Sequence, residues 1–192
     1  MKKKIIRAAA AILVLTVALS FAFSGCSNKK DGGDETTTMP PEAVEAVQTL
    51  KLPYSKGDKL NPFTATSMLN QQLMPLIYDG LFALDKNYNP QPLLASNYSR
   101  SGRTLTVSLA SAKFSDGSSV SASDVVASFE SAKKSPAYKT QLANFSNAKV
   151  SGNSVVFSLT DDDPYAVNCL TFAVTKGGST EDGAAGRGRY TY

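Results

Sequence analysis

Residues 112–136, AKFSDGSSVSASDVVASFESAKKSP, constrain the path of the chain more than any other stretch. Phe114 closes a short strand, and Asp116-Gly117 supplies turn chemistry: an acid that bonds its own backbone, then a residue free to adopt positive φ. Ser121 stands where a helix N-cap belongs, and Asp124, three residues on, completes a pattern like a capping box. Val125, Phe129 and Ala132 recur at helical spacing on one face. Lys133 and Lys134 suit the negative end of the helix dipole, and Pro136 stops the helix. The segment therefore predicts strand, turn and helix, with one apolar face that needs a cover.

The rest of the chain supplies that cover. QTLKLPY alternates Leu50, Leu52 and Tyr54 at strand period, and Pro62 in LNPF biases Asn61 out of helical space. TSMLNQQLMPLIYDGL places Leu69, Leu73 and Leu76/Ile77 on a helical stripe, with Thr66 or Ser67 as N-cap and Pro75 as a kink or local break. LFALD reads as a strand, NYNP as a turn, and TLTVSLA as a strand with Leu105, Val107 and Leu109 on one side. KVSGNSVVFSLT reads as a hairpin around Gly152-Asn153 with Val155, Phe157 and Leu159 inward. Asp163-Pro164 has the order of a helix start, predicting a short helix over 165–170, and FAVTK predicts a last strand. Helices and strands alternate irregularly, so the fold class is mixed α/β with hairpins.

Residues 1–46 have a different character. Lys2, Lys3, Lys4 and Arg7 account for the whole of the net +4 charge, so the body is neutral and carries no bias towards nucleic acid. They precede the apolar run AAAAILVLTVALSFAF (8–23), about 24 Å long as a helix and short of the ~30 Å hydrocarbon core. That layout predicts an export signal over residues 1–25 in preference to a permanent transmembrane anchor. Residues 26–46 are polar and rich in Gly, Thr and Pro after Cys26, which predicts a disordered tether with ends on the order of 25 Å apart. The folded domain is expected over 47–192.

Most catalytic chemistries find no footing. The chain has no histidine, so Cys169 lacks a base and reads as a small buried hydrophobe beside Leu170 and Phe172. Ser-x-x-Lys occurs three times, at Ser27, Ser131 and Ser146, without the companion motifs that would make it a nucleophile. Asp161-Asp162-Asp163 lacks the spaced ligands and glycine of a calcium loop and reads as solvated charge. Gly186-Arg187-Gly188-Arg189-Tyr190 is weighed as an anion nest against a tight turn entering a strand, the commoner case. No catalytic residue, metal site or cofactor is expected.

Two further patterns carry a resemblance. FSGC (23–26) resembles the lipobox of bacterial lipoproteins, whose cysteine is diacylated and becomes the mature N-terminus, although Phe23 stands where Leu is usual. In order, a strand ending in Leu-Asn-Pro, IYDGL (77–81), PLLASNY (92–98), KFSDGSSVSASDVVASFE (113–130) and GRGRY (186–190) resemble the extracellular solute-binding proteins of family 5. The family pattern has His where Ser115 stands, Trp at Tyr98, and Thr and Pro at Arg187 and Arg189.

The resemblance implies the N-terminal lobe of a type II periplasmic-binding-protein fold and no catalysis. It implies the solute-binding component of an ABC importer, capturing oligopeptides, dipeptides or nickel, with the permease subunits as partners. Lipidation of Cys26 would hold it at the extracellular face of the membrane, or the periplasmic side in a Gram-negative cell. By position, Tyr54, Ser55 and Lys56 are expected beside the ligand backbone. The sequence ends soon after the block at which the family re-enters its first lobe, so the second lobe is expected to be missing. Two other readings are a surface scaffold or adhesin without a cleft, and a secreted hydrolase using acids such as Asp116 and Asp161.

Overall fold

The computed structural model describes residues 49–191, and the expectations for the export signal, Cys26 and the tether lie outside them. Helix α1 spans Met68–Ile77. A short hairpin follows, β1 (Phe82–Leu84) with β2 (Pro90–Pro92). Strands β3 (Ala95–Ser101) and β4 (Thr104–Leu109) lead to helix α2 (Ala122–Lys134), then to β5 (Phe145–Ser151) and β6 (Ser154–Leu159). The last four strands form one antiparallel sheet in the order β3-β4-β6-β5.

The sheet has two unlike faces because side chains alternate along each strand. Leu105 lies opposite Phe157 and Val107 opposite Val155, and all four are fully buried. The intervening Thr106, Ser108, Val156 and Ser158 are only half-buried. A register shift between Phe145 and Asn147 returns Ala148 to the inner side, opposite Phe157. Helix α2 covers this inner face with Val125, Phe129 and Ala132, as its spacing predicts. The Phe129 ring lies 5.5 Å from that of Phe157, 6.1 Å from Phe172 and 6.2 Å from Phe145, so four aromatic rings close the centre of the core.

The predicted start of α2 is present in both halves. The Asp124 N–H donates to Ser121 Oγ at 3.3 Å, and the Ser121 N–H donates to Asp124 Oδ2 at 2.9 Å. Ser121→Ala should therefore cost about 1 kcal/mol, read as a lower urea midpoint with an unchanged slope.

Elsewhere the local expectations needed tertiary correction. Residues 49–54 alternate like a strand but form none, because no neighbouring strand pairs with them among the described residues. FAVTK is likewise no strand: Thr175 makes only a bridge to Gly186. The helix expected over 165–170 is a single 3-10 turn, Ala166–Cys169. Pro75 does not break α1; it falls in the last turn, and the helix ends two residues later. The cap of α1 also differs. Ser67 is the N-cap residue but makes no side-chain cap bond. Instead Asp58, nine residues upstream, accepts from the N–H groups of Ser67 at 2.8 Å and Thr66 at 3.0 Å. Those backbone bonds, Ser67 first, hold the Asp58 carboxyl below its ordinary range despite some desolvation.

Candidate functional site

Helix α1 carries a groove on one flank and a second hollow towards its C-terminal end. The first has a volume of about 300 Å³ and lies between Leu50, Leu52 and Tyr54 of the extended segment, Leu73 and Ile77 of α1, and Tyr190. Leu73, Leu76 and Ile77 of the predicted stripe of α1 thus line an open groove, Leu69 does not, and the buried face carries Asn70 and Met74. The second hollow, about 430 Å³, lies between Met74, Asp79 and Gly80 on one side and Leu84, Leu93 and Tyr138 on the other.

Of the three residues expected beside a ligand, the structure brings one to the first groove. Tyr54 lines it and remains 49% exposed. Ser55 is occupied by scaffolding: its N–H donates to Asn70 Oδ1 at 2.7 Å and its carbonyl accepts from Asn70 Nδ2 at 3.1 Å. Lys56 is exposed in the turn that follows. Asn70, fully buried, also reaches the Lys59 carbonyl at 3.2 Å. It therefore holds the loop that carries all three candidates. Sequence reasoning missed it, although a polar residue between Leu69 and Leu73 is the signal that could have found it.

The wall between α1 and the C-terminal segment is made by GRGRY. Gly186 and Gly188 do not have positive φ, so the alternating conformation of an anion nest is absent. Both glycines are there for close approach instead. A Cβ on Gly186 would overlap the Tyr78 ring, and one on Gly188 would overlap the Ile77 backbone. Between them Arg187 clamps Asp79: its carbonyl accepts the Asp79 N–H, and its guanidinium bonds Asp79 Oδ2 at 2.6 Å. The Tyr78 hydroxyl lies 3.2 Å from the Leu60 carbonyl and 3.1 Å from that of Ala184, tying the Leu-Asn-Pro turn to the same wall.

Burial raises the Asp79 pKa, and the charges of Arg187 and Arg189 oppose that rise. A carboxyl with a raised folded pKa stabilises the fold fully below its unfolded value, and the contribution fades as pH climbs through the folded value. Arg187→Met removes the main opposing charge. It should cost about 1 kcal/mol at pH 7, a modest figure because Arg187 is partly exposed. The gap to the wild type should narrow as the pH falls towards about 4, measured by urea denaturation across that range.

The remaining reactive groups are dispersed. The Asp116 carboxylate accepts from Ser118 and pairs with Lys176 at 2.8 Å, whereas Asp161 lies beyond the end of β6, where its backbone N–H donates to Asn144 Oδ1. These acids belong to separate turns, not to one converging pair. Asp162 pairs with Arg100, and Asp163 accepts the Tyr165 N–H at 2.8 Å. No group of three metal-ligating side chains occurs among the described residues. Cys169 packs against the core, and burial, then Asp163, push its thiol pKa up, away from nucleophilic use.

Solved structures share this architecture. NikA from Staphylococcus aureus, in complex with Ni(L-His)2, matches with a TM-score of 0.57 at 19% identity, over 67% of this chain and 29% of NikA. The oligopeptide-binding protein AppA from Bacillus subtilis, in complex with a nonapeptide, matches at 0.51 and 24% identity, over 59% of this chain and 24% of AppA. At these identities the likeness is one of fold, that of the periplasmic binding proteins. The glutathione-binding protein GsiB of Escherichia coli O1:K1 / APEC is 34% identical over 103 residues, which is 52% of this chain and 20% of GsiB. The chain thus spans about a fifth of that relative's length. Residues 89–185, half of the chain, match the middle region of the bacterial extracellular solute-binding proteins, family 5. That span runs from β2 through the capped helix and the hairpin to the last residue before GRGRY, and with it this chain belongs to family 5 of the extracellular solute-binding proteins.

Proposed function

We propose that the chain acts as the substrate-binding component of an ABC importer and captures oligopeptides outside the cell for the permease subunits. The observation that carries this reading is the family match over residues 89–185. The ligands named for the similar proteins support it: glutathione for GsiB, a nonapeptide for AppA and Ni(L-His)2 for NikA all contain amino acids. An open apolar groove beside residues 50–54, whose backbone groups have no hydrogen-bond partner among the described residues, also suits an extended peptide, which such sites hold through main-chain hydrogen bonds. Tyr54, Ser55 and Lys56 are the proposed contacts, with Tyr54 flanking the peptide and the Asn70-braced turn holding its place.

Residues 1–25 serve as the export signal in this reading. Cys26 carries the lipid, and residues 26–46 act as the tether. Attachment then rests on two or more acyl chains, which hold a protein at a bilayer where one does not. Two measurements test the proposal. Titration calorimetry of the purified chain with a pool of tri- to hexapeptides should show saturable heat that weakens in Tyr54→Ala; no heat at any concentration would refute peptide capture. Labelled palmitate should enter the wild-type chain in cells and be lost in Cys26→Ser. Equal labelling of the two would remove Cys26 as the lipid site.

A further inference from the structure

Three Asp-Gly pairs fall within the described residues: Asp79-Gly80, Asp116-Gly117 and Asp182-Gly183. In such a pair the glycine nitrogen, with no Cβ beside it, can reach the preceding side-chain carboxyl. Two of the pairs are protected, each by different contacts. The Gly117 N–H donates to the Phe114 carbonyl at 3.0 Å, so that nitrogen is engaged. Lys176 and then Ser118 bond the Asp116 carboxyl and hold it ionised, well below the usual carboxylate range. Asp79 is fixed along its backbone: its N–H donates to the Arg187 carbonyl, and its own carbonyl accepts the Val174 N–H at 3.0 Å. Arg187 also holds its side chain, and an added carbon on Gly80 would sit 2.9 Å from the backbone of Thr171 and Phe172. Burial keeps more of Asp79 in the acid form, so its protection is a matter of geometry alone.

Asp182-Gly183 has none of these defences. Both residues are exposed in a turn, and among the described residues nothing accepts the Gly183 N–H. The Asp182 side chain makes one bond there, Oδ1 accepting the Leu60 N–H at 2.7 Å, which leaves Oδ2 free.

We propose that Asp182-Gly183 is a site of self-modification, at which the folded chain isomerises Asp182 to a β-linked aspartate. With Asp182 in its acid form, the Gly183 nitrogen attacks Cγ and forms a new N–Cγ bond. Oδ2 leaves as water, taking the acid proton and the nitrogen's proton, and a five-membered succinimide closes. The Leu60 N–H points at Oδ1 and stabilises the charge that gathers there as the carboxyl turns tetrahedral. Water then opens the ring at the main-chain carbonyl. The backbone now runs through Cβ and Cγ, and the former main-chain carbon becomes a free carboxylate. One water has left and one has entered, so no oxidant or reductant is needed.

The product has a longer main chain and a displaced carboxylate, so the bond to Leu60 is lost. The same loop receives Asn61 Nδ2 at the Ser179 and Glu181 carbonyls, 3.1 and 2.8 Å away, and the Tyr78 hydroxyl at Ala184. Isomerisation therefore loosens the joint between the Leu-Asn-Pro turn and the GRGRY wall. None of this depends on which solute the chain binds.

The test is an ageing experiment on the full chain, held folded in a mildly acidic, detergent-containing buffer and sampled over weeks. Tryptic peptides are compared with a sample from the start, and electron-transfer mass spectrometry distinguishes the two aspartate linkages at equal mass. The peptide GGSTEDGAAGR (177–187) should accumulate the β-linked form. The peptides that carry Asp79 (60–86) and Asp116 (114–133) should stay at their starting level. Asp31-Gly32 lies outside the described residues and falls in a separate peptide, 31–51, so it does not disturb the reading. In a parallel sample unfolded in urea, all three sites should isomerise at similar rates. An unchanged 177–187 peptide in the folded chain would overturn the proposal. So would equal accumulation at all three sites in the folded chain, since the fold would then select nothing. Silence at Asp79 and Asp116 in urea would also overturn it, because neighbouring sequence would then protect them without the fold.

Discussion

Phe129→Ala should cost about 3–5 kcal/mol, the largest loss expected from any single truncation in this chain. The Phe129 ring is fully buried and touches three other aromatic rings, one on β5, one on β6 and one, Phe172, after the 3-10 turn. Removing it takes away the transfer energy of a large apolar group, and the cavity adds to that because rings held by both sheet and helix cannot collapse into the gap. The edge-to-face geometry contributes a further part beyond area, about 0.5–1.5 kcal/mol per aromatic pair. Urea denaturation followed by far-ultraviolet circular dichroism should show a much lower midpoint. Tyr88 offers the control: its ring is 75% exposed, so Tyr88→Ala removes almost no packing. A Phe129→Ala midpoint within error of the wild type would show that helix α2 is not seated on the sheet as described.

Gly178→Ala should be the second large effect, and its neighbour makes the cause separable. Gly177 and Gly178 both hold positive φ, +60° and +65°. Each pays the left-handed penalty when a Cβ is added, on the order of 1–2 kcal/mol. At Gly177 nothing lies within 4 Å of the added carbon. At Gly178 the same carbon would overlap the carbonyl of Ala127 and sit 2.8 Å from the Ser128 nitrogen. Those atoms belong to the backbone of α2 and cannot rotate away, so overpacking adds roughly 1–3 kcal/mol more. The loss would also reach the bonds that stitch this turn to α2: Ser131 Oγ to the Gly178 carbonyl at 2.7 Å, and the Gly177 N–H to Asp124 Oδ1 at 2.8 Å. Gly178→Ala should therefore have a clearly lower urea midpoint than Gly177→Ala. Equal losses would mean that the turn does not press against α2.

Local chemistry determined much of this protein before any fold was in view. The capping box at Ser121, the Asp116-Gly117 turn and the hairpin at Gly152-Asn153 depend on residues within a few positions of one another, so their sequence is nearly their structure. The buried faces of β4, β6 and α2 follow from periodicity for the same reason, since alternation and helical spacing are local rules. The order of those blocks was also enough to expose the family.

What tertiary structure decided lies wherever a partner comes from far along the chain. Residues 49–54 have every local property of a strand, but a strand exists only where another supplies its hydrogen bonds. Asp58 caps α1 from nine residues away, a spacing no capping rule anticipates. Asn70 is buried because it braces Ser55 and Lys59 from inside the helix, and Leu73, Leu76 and Ile77 are consequently left to line a groove. The glycines of GRGRY look like an anion loop until Tyr78 and Ile77 are seen to press against them across about a hundred residues of sequence. Propensity and period describe what a segment can do alone. Which face it buries, and against what, is settled by contacts whose cost and gain appear only when the chain has folded.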